Sequence, residues 1–494
     1  MIRRPLMLAA TVATLVACAT APGVRSERAD QVTTTSQPSP TPSPTTSPTT
    51  SSSPAGDELG DGIGDALFPD LGNPGLDVVH YDVELSYDPT TERVDGTVGL
   101  DVTLTSARDE ITLDAVGLTA SNVTVGGESV VAVADGPELR IPLPQPGSAG
   151  DSLRIEVSYG FENAQILSPI GFSIGWFNTP GGSYVLNEPD GARSWLPCND
   201  HPSDKATYTF TIAVPAGLTA VANGTLTDHR TVGDQEVWTW QQDDPMATYL
   251  IQLLTGDYEV VDGTGPDGLP LISVVLRADK ATMQQFIDVT PAMIDFFDGF
   301  FGPYPLDSYG IAMTDSFGGL AMETQGRSLF SRDDFLGGLG YTQQLLLSHE
   351  LAHQWYGDAV SPARWVDIWL NESFATYAQW MWLEHAGFSL AGEEATFALE
   401  NRPPGSSADP SAQDLFGYNS YDGGAVVLHA LRLTIGDDKF FELLRRWATE
   451  NSGGSRTTAD FIDLTQTVAG APMGDFFDTW LFAEQPPSEF PIGQ

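Results

Sequence analysis

The sequence predicts an α+β multidomain protein, an N-terminal antiparallel β domain followed by a mainly helical domain. Three observations predict it. Apolar residues alternate with a period of two from His80 to about Val261, the period lengthens to that of a helix after Pro270, and a Ser/Thr/Pro-rich stretch precedes both. The chain has 494 residues, 41% of them hydrophobic and 10% aromatic, which is enough to bury a large core. Its 66 acidic and 22 basic residues give a formal charge of −44. That balance argues against a nucleic-acid partner, because phosphate backbones are held by clustered Lys and Arg.

Residues 1–18 read as a targeting signal. Arg3 and Arg4 form a short basic region, and the apolar run from Leu6 to Val16 is too short to span a bilayer. Leu15-Val16-Ala17-Cys18 matches the bacterial lipobox, so Cys18 is expected to carry a lipid that holds the protein at the outer face of the cytoplasmic membrane. An ordinary secretory signal with an incidental cysteine is the alternative. Residues 19–67 are expected to form a disordered tether, reaching up to about 150 Å if extended. With Cys18 in the leader, Cys198 is the one remaining thiol, which rules out an intramolecular disulfide and any all-cysteine metal site.

Residues 68–267 form the expected β domain. Val98, Leu100, Val102 and Leu104 alternate with other residues, as do Tyr208, Phe210, Ile212 and Val214, and Gly126-Gly127 and Asn223-Gly224 mark turns between such runs. Residues 268–494 form the second domain. Met283, Phe286, Ile287, Met293, Ile294, Phe296 and Phe297 lie at helical spacing up to the Gly302-Pro303 turn. Further helical patterns run through 341–357, 368–386, 423–434, 438–450 and 458–469, and a last apolar cluster comprises Phe476, Phe477, Trp480 and Leu481. No repeat of 20–50 residues is present.

Within the 341–357 pattern, His349-Glu350-Leu351-Ala352-His353 sets two imidazoles one turn apart on one helix face, where both reach a single ion, with Glu350 beside them as a non-ligand. In a chain with seven histidines such a pattern is expected by chance roughly 0.006 times. Catalytic zinc takes three protein ligands and leaves a fourth position open. Glu372, separated from His353 by 18 residues and carried on the next helical segment, is the best candidate for the third. Asp358 and Asp367 are near enough in sequence to support the imidazoles from behind.

The pair His349-Glu350-Leu351-Ala352-His353 and Trp369-Leu370-Asn371-Glu372 resembles the gluzincin signature of the aminopeptidase N family of zinc metallopeptidases. Gly302-Pro303-Tyr304-Pro305, Arg193-Ser194-Trp195-Leu196-Pro197-Cys198-Asn199-Asp200-His201-Pro202 and Tyr421-Asp422-Gly423-Gly424-Ala425 extend the resemblance across residues 80–490. It implies a thermolysin-like catalytic domain and one Zn2+ per chain held by His349, His353 and Glu372. Glu350 would take the proton of the attacking water, and Tyr421 would donate to the oxyanion, with Tyr418 as an alternative donor. Leu320-Ala321-Met322-Glu323-Thr324 aligns with the family's Gly-x-Met-Glu-Asn strand. This implies that Glu323, with Glu188 of Asn187-Glu188-Pro189, anchors a substrate's free amine, and that Ala321 and Met322 line the substrate.

The implied activity is removal of the N-terminal residue from peptides at the cell surface. A zinc endopeptidase of the same fold and a non-catalytic, lipid-anchored binding protein are the competing readings. The chain departs from the family pattern at Leu320, Thr324, Leu186 and Gly423, which touches substrate geometry rather than the metal. Larger members continue into a helical C-terminal domain, and without one a more open cleft is expected.

Overall fold

The strand Lys205–Pro215 buries every second residue, Ala206, Tyr208, Phe210, Ile212 and Val214, as alternation requires of a strand with one face on a core. It is part of an eight-stranded sheet in the computed structural model, which describes residues 62–315 and 321–492. The expected signal peptide, Cys18 and the tether as far as residue 61 lie outside the described residues, as does Leu320. Among the described residues, no helix is long and apolar enough to cross a membrane.

The sheet runs in the order Thr225–Val232, Gln235–Ala247, Lys205–Pro215, Leu76–Asp88, Arg93–Leu104, Ser152–Phe161, Thr119–Val125 and Glu128–Val130. Its pairings are antiparallel except between Leu76–Asp88 and Lys205–Pro215, which are parallel with Tyr81 opposite Tyr208 and Val83 opposite Phe210. The antiparallel expectation therefore holds for every neighbour but this one. These two strands are far apart in sequence and need no tight turn, so nothing forces them to oppose. The rings of Tyr81 and Tyr208 stack at 4.9 Å along this seam. A five-stranded sheet, Thr219–Ala222, Leu253–Gly256, Gly182–Leu186, Ser173–Thr179 and Ala164–Leu167, belongs to the same domain.

The next hairpin, Tyr258–Thr264 with Pro270–Leu276, pairs Gly263 with Leu271 and joins a sheet with Ile311–Thr314, Ser328–Ser331 and Ala321–Met322. Residue 267, the expected boundary, lies in the turn of this hairpin. The helices are α1 (Lys280–Ile287), α2 (Thr290–Phe301), α3 (Tyr341–Ala352), α4 (Trp369–His385), α5 (Ala391–Asn401), α6 (Gly424–Ile435), α7 (Asp437–Asn451), α8 (Thr458–Ala469) and α9 (Gly474–Trp480). The apolar pattern expected as one helix before Gly302 is two, with Pro291 in the first turn of α2. Gly302, at φ 91, then stops α2. Helix α3 ends at Ala352, short of residue 357, and α5 was not anticipated.

Residues 62–67, assigned above to the tether, belong to the folded body. Asp65 is 3% exposed and accepts hydrogen bonds from the backbone of Leu67, Phe68 and Trp365 and from His201 Nε2. Burial would raise its carboxyl, but these bonds outweigh burial and hold it at about 2. Asp65→Ala strands the N–H groups of Trp365 and its neighbours and should lower the unfolding free energy by about 1–3 kcal/mol. Because the folded-state pKa lies below the unfolded one, the stabilisation is complete above about pH 4 and disappears as the pH falls toward 2. Urea unfolding of wild type and variant should therefore show a gap at pH 7 that narrows below pH 4; an equal gap at both would refute the assignment.

Candidate active site

Helices α3 and α4 supply the centre of the site. His349 and His353 lie with ring centroids 4.7 Å apart, and their Nε2 atoms sit 3.3 and 3.5 Å from the same oxygen of Glu372, Oε2. Each ring is fixed from behind: His349 Nδ1 donates to Gln379 Oε1 at 2.9 Å and His353 Nδ1 to the carbonyl of Tyr356 at 3.1 Å, which leaves both Nε2 lone pairs facing Glu372. Asp358 and Asp367 do not take these places. Asp367 accepts from the backbone N–H and hydroxyl of Thr458 at the start of α8, and neither carboxylate oxygen of Asp358 accepts a hydrogen bond among the described residues.

One ligand atom from each of His349, His353 and Glu372 lies within 4.8 Å of the others, and all three residues are buried. Two imidazoles and a carboxylate in this arrangement fit a zinc ion with an open coordination position. Burial lowers the proton affinity of His349, whereas His353, which burial would also lower, is carried well up by Glu323, Glu372 and Glu350. Burial would raise Glu372, yet His353 and His349 hold it at about 2, so it is ionised. Burial pushes up Glu188, Glu350 and Asp358 strongly and Glu323 as well, and their mutual repulsion adds to it. The pocket is short of positive charge.

Gly357, at φ 135, carries the chain away from α3, and a Cβ there would come within 3.2 Å of both His353 Nδ1 and the Asn371 amide. Glu350 is 6% exposed, and its ligand oxygen groups with those of Glu323 and His353 within 4.8 Å. Glu188, Glu323 and Glu372 form a further group within the same distance. Glu323 follows the short strand Ala321–Met322, in which Met322 is buried and Ala321 partly exposed. Gln354 of the α3 end donates to the Glu323 carbonyl at 3.2 Å. Glu188 is held by its neighbour Asn187, which donates to Ile251 O and accepts from Trp195 Nε1.

Thr324, one of the departures, has a defined role: its hydroxyl donates to Arg327 O at 2.5 Å and accepts from Gln252 at 2.9 Å, tying the Glu323 segment to the β domain. Arg327 is 1% exposed and meets no carboxylate among the described residues. It donates to the carbonyls of Ile272, Ala222 and Gly224 and to Gln252 Oε1, with its guanidinium 5.1 Å above Trp240, and burial lowers its pKa to about 10.

Tyr421 sits in a π-helical turn, Asn419–Gly423, with its ring stacked on His349 at 5.9 Å. Tyr418 is directed elsewhere, its hydroxyl donating to Ala398 O. The turn is fastened to α4 by Ser373, whose hydroxyl donates to Ser420 O at 2.6 Å, and to the loop 402–407 by Arg402 through Asn419 Oδ1. At Gly423 a Cβ would meet Asn419 Oδ1 at 2.7 Å and Arg402 Nε at 3.1 Å, so a side chain there would require these two to move. Cys198 is buried and has no direct part in the site.

Gln379 escaped the sequence reading although it had a signal. It follows Glu372 by two helical turns and so shares its face. The Tyr356 carbonyl, Arg327 and Ser373 had none, because their parts depend on which backbone atoms the fold brings near.

Comparison with known proteins agrees with this geometry. Residues 78–250 match the Peptidase M1 N-terminal domain and residues 286–480 the Peptidase family M1 domain. The chain is 27% identical over 402 residues to a probable aminopeptidase 2 of Sulfurisphaera tokodaii, covering 76% of this chain and 50% of that protein. It is 28% identical over 319 residues to a glutamyl aminopeptidase of Sus scrofa, covering 60% of this chain and 34% of that one. The chain thus spans half the length or less of these curated relatives. Solved structures match further: the M1 zinc metallopeptidase of Deinococcus radiodurans superposes with a TM-score of 0.79 at 31% identity, covering 88% of this chain and 99% of that one. A mutant of the same peptidase bound to a Tyr-Ser-Ala substrate superposes with a TM-score of 0.80, also at 31% identity and over the same shares of both chains. Domain matches that between them run from residue 78 to residue 480, with solved relatives aligned almost end to end, make this chain a member of peptidase family M1.

Proposed function

We propose that the chain is a zinc-dependent aminopeptidase that removes the N-terminal residue from peptides. One observation carries this reading: Glu188 and Glu323, which stand outside the set of two imidazoles and a carboxylate, converge with Glu372 to within 4.8 Å. Two carboxylates beside a metal-holding one make a seat for a positively charged α-amine. At about 4 Å and an effective dielectric near 20, each such contact is worth about 4 kcal/mol before desolvation. The same pair has no evident use in an endopeptidase, whose substrate brings no amine to that position.

His349, His353 and Glu372 would hold a zinc ion, which would supply Lewis-acid polarisation of the scissile carbonyl and acidify water. Glu350, whose ligand oxygen lies within 4.8 Å of those of Glu323 and His353, takes the water's proton and passes it to the leaving amine. Tyr421 stays protonated because burial, reinforced by Glu372 and Glu188, drives its pKa well above the ordinary value, so its phenol remains a donor to the oxyanion. Ala321 and Met322 present the strand edge along which the first substrate residues run. On the sequence of residues 15–18 we infer a lipid anchor at Cys18 and a position at the outer face of the cytoplasmic membrane.

Glu350→Gln should keep about one zinc per chain by elemental analysis yet lose about 10²–10⁴-fold in kcat, whereas His349→Ala should lose the metal; full activity in Glu350→Gln would end this mechanism. N-acetylation of a peptide substrate should reduce kcat/KM at least about 100-fold, and undiminished cleavage would favour the endopeptidase reading. Replacing Cys18 with serine should move the protein from the membrane fraction to the soluble fraction; unchanged fractionation would remove the anchor.

A further inference from the structure

The turn Thr248–Leu250 belongs to the β domain, yet it carries a side chain that reaches both arms of the metal set. Tyr249 is 1% exposed, and its hydroxyl donates to the carbonyl of Gly357 at 3.1 Å and accepts from the side-chain amide of Asn371 at 3.2 Å. Gly357 follows His353 where the chain leaves α3, and Asn371 immediately precedes Glu372 in the first turn of α4. One oxygen atom therefore joins the element that bears the imidazoles to the element that bears the carboxylate. Asn371 Oδ1 accepts no hydrogen bond among the described residues, so the bond to Tyr249 is the one that orients its amide. The ring of Tyr249 meets Trp365 edge-on at 5.3 Å, and Trp365 opens the short turn Trp365–Asp367 that leads into α4. The Tyr249 turn is itself anchored, since the Thr248 hydroxyl donates to Asp200 Oδ1 at 2.6 Å and the Leu250 carbonyl accepts from Asn223 at 3.1 Å and from the Gln325 N–H at 3.2 Å. A phenylalanine would pack equally well against Trp365. A buried hydroxyl is costly unless bonded, and here both of its bonds go to the segments that carry the metal ligands.

We propose that Tyr249 is a positioning residue for the metal: its hydroxyl fixes the first turn of α4 against the chain leaving α3, and so sets Glu372 Oε2 relative to the Nε2 atoms of His349 and His353. The inference rests on the zinc set described above and on no particular substrate. Zinc holds its protein ligands at short, well-defined distances, so a small displacement of one arm against the other is felt as lost affinity. Gly357 leaves little slack for such a shift, because a Cβ there would already stand 3.2 Å from both His353 Nδ1 and the Asn371 amide. The β domain thereby takes part in metal binding through a single side chain.

The test uses the full chain and compares wild type, Tyr249→Phe and Tyr208→Phe, the last removing a buried hydroxyl that donates to Met246 O within the β domain. Zinc affinity is read by competition with a chromophoric chelator, and ligand geometry by the visible absorption of the Co2+-loaded protein. Tyr249→Phe should still take up about one zinc per chain at saturation but bind it about 10-fold more weakly, with its Co2+ bands shifted, whereas Tyr208→Phe should match wild type in both. Asn371→Ala approaches the same bridge from the other arm and carries the test even where Tyr249→Phe does not fold: it should weaken zinc comparably. Combined, the two substitutions should weaken zinc by less than the product of their single effects. Unchanged zinc affinity in Tyr249→Phe, or an equal loss in Tyr208→Phe, makes the hydroxyl a packing group and overturns the inference. Single effects that multiply independently overturn the bridge. A wild-type chain that takes up no zinc overturns the zinc reading beneath it, an outcome distinct from any difference between the variants.

Discussion

Five carboxylates, those of Glu188, Glu323, Glu350, Asp358 and Glu372, come together where little water reaches them, and their repulsion is the constraint the surrounding structure has to meet. Two imidazoles offset one of them, Glu372, and hold it ionised. His353 also faces Glu323, Glu350 and Asp358, but burial outweighs it there and makes their negative charge expensive. Positive charge arriving from outside, such as a metal ion, relieves an arrangement of this kind. The poor internal balance of the pocket thus favours a bound cation.

The scaffold meets the constraint by fixing backbone rather than by adding counter-charges. Arg327 is the clearest instance: a fully buried cation close to an acidic pocket bonds to three carbonyls and an amide, and so braces the strand behind Glu323 against the β domain without neutralising it. Gln354 and Thr324 hold the same segment by neutral hydrogen bonds. Rigid neutral supports keep the acids near one another without supplying the counter-charge that an arginine–carboxylate pair would bring.

What could be read from the sequence follows from what is local. Periods of two and of helical length placed the β domain and most helices, because burial of one face is written along each element. The spacing of His349 and His353 fixed them on one face of α3, and Glu372 needed only a short return of the chain. Pairing between distant strands left no such trace, and so the parallel neighbours Leu76–Asp88 and Lys205–Pro215 were not foreseen. The first folded residues were also missed, since Asp65 earns its place through contacts with His201 and Trp365, far along the chain. Asp358 shows the opposite error. It is near His353 in sequence, but Gly357 turns the backbone so that the imidazole meets the Tyr356 carbonyl instead.

The eight-stranded sheet has two free rims, and they differ. One is the three-residue strand Glu128–Val130, too short to template another chain; the other, Thr225–Val232, is longer and mostly exposed, and it carries Asp228, His229 and Arg230 in succession. Alternating charge on a long rim discourages a second molecule from zipping onto it, and a net −44 on each copy adds long-range repulsion. Dense arrays of this protein should accordingly remain dispersed, crowding together without growing into fibres.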